Sequence, residues 1–93
     1  MIDEHEWRSV LQVVEDGTFS AAARHLFLSQ PSLSQCIKKI EGELGQPLFD
    51  RSQTPLALTP AGRIYVREAR RLAAVAREMK KAVEDLSSLQ TGS

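Results

Sequence analysis

Thr59-Pro60 opens a helix that nothing in the sequence interrupts before about Leu86. Threonine is a good N-cap, and proline suits the first helical position because its missing N–H would have no intrahelical partner there. A helix of ~25 residues spans ~38 Å, more than the short body preceding it can cover. Leu72, Ala76, Met79, Val83 and Leu86 recur along it with a period near 3.5, the seam that one helix offers to another. Val75 lies beside this seam, and Ala69 and Tyr65 extend it backwards. The spacing therefore predicts a dimer interface of Tyr65, Ala69, Leu72, Val75, Ala76, Met79, Val83 and Leu86, with a second copy of the chain as partner. The competing reading, packing on its own domain, leaves too much apolar surface uncovered. Pattern alone does not choose between parallel and antiparallel pairing.

Before Thr59 the chain reads as three helices and a hairpin. Asp3 caps the first helix with Glu6 three residues on, and Trp7, Val10, Leu11 and Val14 form its apolar stripe before Gly17 stops it. Ser20 (or Thr18) is a suitable cap for a second, short helix, whose alanines in "AAARHLF" allow a close neighbour. The third helix is expected from Pro31, buries Leu33, Ile37, Ile40 and Leu44, and ends at Gly45. "PLFDRSQTPLALT" then gives two short extended segments, Pro47–Arg51 and Leu56–Thr59, about a turn. The domain boundaries expected are 1–59 for this body, 60–89 for the long helix, and 90–93 for the start of a hinge.

Helices two and three fit a helix-turn-helix. Ala23 is the small residue where they touch, Leu26 and Leu28 anchor the turn, and Leu33 and Ile37 anchor the second helix. Phe27 stands where a turn glycine is usual. With Leu33 pointing inward, Pro31, Gln35, Lys38 and Gly42 project outward, flanked by Ser32, Ser34 and Lys39. That face carries no acid and no large apolar group. Amides can address adenine edges, hydroxyls can meet bases or phosphates, and lysines suit phosphate oxygens. Ordinary surface polarity would look similar, so this face alone does not decide the matter.

Formal net charge is zero, yet sign is segregated: residues 1–17 are acidic, 18–40 hold Arg24, Lys38 and Lys39 with no carboxylate, and 51–82 are strongly basic. A neutral chain can thus present a basic face. One cysteine, Cys36, rules out an internal disulfide framework and fits a reducing, cytoplasmic setting, with Cys36 itself a small packed residue. His5 and His25 are too isolated for a metal site. There is no apolar run long enough to span a membrane, and the acidic start is unlike a signal peptide. No catalytic triad, carboxylate pair or phosphate-binding glycine loop is present, so neither enzymatic activity nor a cofactor is expected. Trp7 reads as core, and Arg63, Arg67, Arg70 and Arg71 either reach DNA flanks or solvate the long helix.

The segments "SAAARHL", "SQPSLSQ", "IEGELGQPLFDR" and "LTPAG", in this order and spacing, resemble the amino-terminal DNA-binding domain of LysR-type transcriptional regulators over essentially the whole chain. The resemblance implies a mainly α fold: a winged helix-turn-helix of three helices plus a small two-stranded β wing, followed by a long linker helix. It implies double-stranded DNA as partner, a homodimer paired antiparallel through the linker helix, and a tetramer for the full-length protein. It also implies a partly palindromic target and an effector-binding domain beyond this chain, the only route to a small molecule. By the same resemblance, Gln30, Pro31, Ser32, Ser34 and Gln35 would enter the major groove, and Thr18 and Ser20 would lie near a phosphate. Arg51 would lead into the wing, with Gln53 and Thr54 on it. Arg24, Lys38 and Arg51 would supply mainly phosphate contacts. Two positions depart from the family pattern: many members carry arginine where Gln35 stands, and a basic residue where Thr54 stands. A protein-interaction module and a winged-helix regulator of another family are the rival readings. The acid-free face speaks against the first and the "LTPAG" junction against the second.

Overall fold

A computed structural model describes residues 2–91, with side chains described as far as Ser87. Its elements run α1 (Glu4–Asp16), α2 (Phe19–His25), α3 (Gln30–Leu44), β1 (Phe49–Asp50), β2 (Ala57–Leu58) and α4 (Pro60–Thr91). The three short helices and the hairpin form the winged helix-turn-helix expected, and α4 leaves it along a long axis of 57 Å.

Local chemistry accounts for most helix ends. Asp3 accepts the Glu6 N–H at 3.1 Å, and Gly17 takes the left-handed conformation that closes α1. Thr18, not Ser20, caps α2 by accepting the Ala21 N–H at 3.2 Å; Ser20 is exposed in the first turn. Ser29 caps α3, which starts one residue ahead of the expected Pro31. Thr59 accepts the Gly62 N–H at 3.0 Å and donates to the Pro47 carbonyl at 2.6 Å, so the cap of α4 also fastens it to the wing.

The core is built from Val10, Val13, Ala22, Ala23, Leu33, Ile37, Ile40, Leu48, Phe49 and Val66. In α1 the expected stripe is displaced: Val13 is fully buried while Val14 is only partly so. The reason is tertiary, because α1 packs against α2, α3 and α4 together. Its inward face is therefore broader than one stripe and includes Ser9, which donates to the His5 carbonyl at 2.7 Å. In α3, Leu33, Ile37 and Ile40 are buried as expected and Leu44 is half-buried.

The wing is shorter than the expected segments. Phe49 pairs with Leu58 and Asp50 with Ala57, and next to them the Thr59 N–H donates to the Leu48 carbonyl at 3.0 Å. The Leu56 N–H goes to the Gly17 carbonyl at 3.0 Å, tying the wing to the turn between α1 and α2.

Along α4 the first turns belong to the body. Trp7 packs against Ala69 and Ala73, with Tyr65 partly buried beside them. This corrects the expectation for Ala69, which is covered by the chain's own α1 and does not extend a free seam. From Leu72 onward the seam is open: Leu72, Val75, Met79, Val83 and Leu86 are 37–65 % exposed. The expected hinge at 90–93 begins inside α4, at Gln90 and Thr91, and Gly92 and Ser93 lie outside the described residues. Among the described residues no helix is long and apolar enough to cross a membrane.

Candidate nucleic-acid interface

Three elements converge on one side of the body. The start of α2 brings Thr18 and Ser20, the first residue of α3 brings Gln30, and the wing brings Arg51, Gln53 and Thr54 to a shared open concavity. These six were expected from sequence, and the structure gathers them. The remaining α3 candidates line its outer face: Pro31, Ser32, Gln35 and Lys38 are exposed, and Ser34 is half-buried. Arg24 is exposed near the end of α2.

The turn leading to this face has an unusual member. Phe27 adopts φ 57, the left-handed region that favours glycine, and its side chain is 96 % exposed. Its N–H bonds to the Arg24 carbonyl at 3.2 Å, and the Leu28 N–H bonds to the Ala23 carbonyl at 2.9 Å. The turn thus closes with glycine-like geometry, and Leu26 and Leu28 pack on the core to either side.

The two lysines of α3 differ. Lys39 sits 2.9 Å from Glu6 Oε2 and 3.9 Å from Glu43 Oε1. The hydrogen bond and charge of Glu6 hold its ammonium above the ordinary lysine value. Its charge is therefore matched within the chain. Lys38 makes no ion pair among the described residues and faces outward with Gln35.

In the wing, the Asp50 carboxylate accepts the Ser52 N–H at 3.0 Å, the Ser52 hydroxyl at 2.6 Å and Gln53 Nε2 at 3.4 Å. The Ser52 bonds hold Asp50 below the usual carboxylate range. Arg51 lies with its guanidinium 4.6 Å over the Phe19 ring and Nη2 3.7 Å from Glu41 Oε1. On α4, Arg67 and Arg71 share Glu68, at 3.4 and 2.8 Å, and Arg63 reaches the Leu58 carbonyl at 3.5 Å.

Other ionisable groups have local duties. His25 Nδ1 is 2.8 Å from Asp16 Oδ2, linking α2 to α1, and that bond lowers the Asp16 carboxyl. Among the described residues no three His, Cys, Asp or Glu side chains could hold a metal. Cys36 is half-buried, and burial pushes its thiol up, away from the reactive thiolate. Burial likewise pushes the Tyr65 hydroxyl up to about 12.

Sequence reasoning read Glu6 only as part of the α1 cap, and it missed Phe19 and Glu41. Glu6 is buried against Lys39, and Glu41 accepts the Leu48 N–H at 2.7 Å as it faces Arg51. The available signal was position: Glu41 adjoins the buried Ile40 on the edge of the α3 stripe.

A family profile described as bacterial regulatory helix-turn-helix protein, lysR family, matches residues 5–63. A probable RuBisCO transcriptional regulator of Cyanidioschyzon merolae (strain NIES-3377 / 10D) is 43 % identical over 81 residues, covering 87 % of this chain and 27 % of its own. The chain thus spans about a quarter of the length of the curated relatives it matches. Two similar solved structures are DNA complexes. That of the BenM DNA-binding domain with catB site 1 superposes with TM-score 0.87 at 30 % identity, over 96 % of each chain. That of the CbnR DNA-binding domain gives TM-score 0.81 at 28 % identity, over 92 % of this chain and 99 % of that one.

Proposed function

The chain belongs to the lysR family of bacterial regulatory helix-turn-helix proteins, and we propose that it is the sequence-reading, DNA-binding portion of a transcriptional regulator. The observation that carries this reading is the outer face of α3 with the concavity beside it. From Gln30 to Ile40 the helix bears no carboxylate, and its exposed groups are amides, hydroxyls, Pro31 and two lysines, of which Lys39 is paired with Glu6 and Lys38 makes no ion pair among the described residues. Such a face suits the major groove, whose edges present a distinct donor and acceptor pattern for each base pair. Gln30, Ser34 and Gln35 discriminate bases, with Pro31 and Ser32 at the groove edge. Thr18, Ser20, Arg24, Lys38 and Arg51 meet phosphates and set orientation. Gln53 and Thr54 carry the wing toward the minor groove without a basic residue at Thr54.

Residues 1–59 form the reading head and 60–89 the dimerisation helix. Two copies pair antiparallel through Leu72, Val75, Ala76, Met79, Val83 and Leu86, with Tyr65 at the margin. The resulting two-fold axis matches two half-sites of a partly palindromic duplex. In a longer protein this head serves an effector-binding domain in a tetramer, acting at the nucleoid in the cytoplasm.

Replacing Gln35 by Ala is expected to cost ~1–3 kcal/mol on the cognate duplex and to relax preference at one base position. Replacing Lys38 by Ala should weaken cognate and random duplexes about equally and flatten the salt dependence. Competition binding with both variants checks this; equal losses on both duplexes for Gln35→Ala would contradict its base-reading role.

A further inference from the structure

Glu41 sets a carboxylate beside an arginine proposed to meet phosphates. It lies on α3 beside Arg51, its side chain 17 % exposed, and a carboxylate there opposes an approaching anion. Its two oxygens have separate partners. Oε2 accepts the Leu48 N–H at 2.7 Å, just before β1, which fixes the carboxylate to the backbone. Oε1 faces Arg51 Nη2 at 3.7 Å, beyond hydrogen-bond length but within ion-pair range.

On its other side the Arg51 guanidinium lies 4.6 Å over the Phe19 ring. Phe19 is itself fixed edge-on against Phe49 of β1, with centroids 5.9 Å apart and an interplanar angle of 71°. The guanidinium is therefore held between a carboxylate of α3 and a ring of α2, each anchored independently. Guanidinium carries five N–H donors in a rigid plane. A face contact and one long ion pair leave donors free at the concavity shared with Thr18, Ser20 and Gln30.

We infer that Glu41 and Phe19 are positioning residues for Arg51, aiming its guanidinium so that it meets one DNA phosphate in a set geometry. This rests on the DNA-binding reading above. Phosphate contacts fix the register of a protein on the duplex. An arginine released from both holders keeps its charge but loses that direction. Binding to random DNA then survives while the advantage of the cognate site shrinks.

A double-mutant cycle on this chain tests the inference, using a duplex recovered by selection with the wild-type chain and a random duplex of equal length. Glu41→Gln retains an oxygen for the Leu48 N–H but removes the charge facing Arg51. It should lower cognate affinity about fivefold when Arg51 is present and less than twofold in the Arg51→Ala background. Phe19→Leu, which keeps apolar volume against Phe49, should show the same dependence on Arg51. It carries the cycle if thermal melting finds Glu41→Gln unfolded. A carboxylate that only braced the Leu48 N–H would give equal losses in both backgrounds, and that result, or no loss beside Arg51, overturns the inference. A wild-type chain indifferent to duplex sequence would instead overturn the DNA-reading function itself.

Discussion

Helices α3 and α4 are both amphipathic, yet only α3 is completed by its own chain. Leu33, Ile37 and Ile40 disappear into contacts with α1 and α2, whereas α4 beyond Ala73 keeps its larger apolar side chains in solvent. The contrast separates two kinds of instruction. In α3 the apolar stripe is an instruction to fold, which leaves the opposite face free for recognition. In the far half of α4 no described element of the same chain reaches the stripe, which leaves it to the proposed pairing with a second copy. A body stable as a single copy and a helix that needs a second one are the expected consequence.

That division can be broken at either end. The largest effect is expected from Leu33→Ala, which removes a fully buried side chain from the junction of α1, α2 and α3. It should destabilise the body by about 3 kcal/mol, through lost transfer energy plus the cavity left behind. Urea unfolding would measure this, and the loss should not depend on protein concentration. Val83→Glu should do the reverse. A carboxylate in the centre of the seam would weaken association by roughly 2 kcal/mol and leave the melting of the body, read at Trp7, unchanged. Analytical ultracentrifugation over a dilution series separates the two outcomes, and an unaltered sedimentation profile would place the partner surface elsewhere. The smallest effect, and opposite in sign, belongs to Phe27→Gly. Relief of the left-handed backbone outweighs the added freedom of glycine in the unfolded chain, for a gain of about 0.5 kcal/mol. With Phe27 in solvent there is no packing to lose, so thermal melting should rise slightly.

How far the sequence was readable follows the same division between local and distant causes. Caps and stops depend on neighbours within a few positions, so Asp3, Gly17, Gly45 and Thr59 announce themselves in the chain. The displacement from Val14 to Val13 does not, because it arises from three helices pressing on α1 at once. Ala69 fits the seam by spacing alone, and only the placement of Trp7 removes it. The candidate interface shows the same pattern. Residue types on the outer face of α3 are visible from a helical wheel, and family resemblance supplies Thr18, Ser20 and Arg51. The supports behind them are not visible, since Glu6 meets Lys39 across 33 positions and Glu41 meets Arg51 only once the chain has turned into the wing. The Phe27 turn lies between these cases. Its missing glycine is plain in sequence, and the structure resolves it by placing an exposed aromatic residue in the glycine conformation.

The most direct test of the central claim is selection of this chain against randomised duplexes, followed by sequencing of the bound fraction and affinity measurement across a salt series. The expected result is an enriched two-fold-symmetric motif whose binding weakens steeply as salt rises. Binding that is equally salt-sensitive but enriches no motif would contradict the claim.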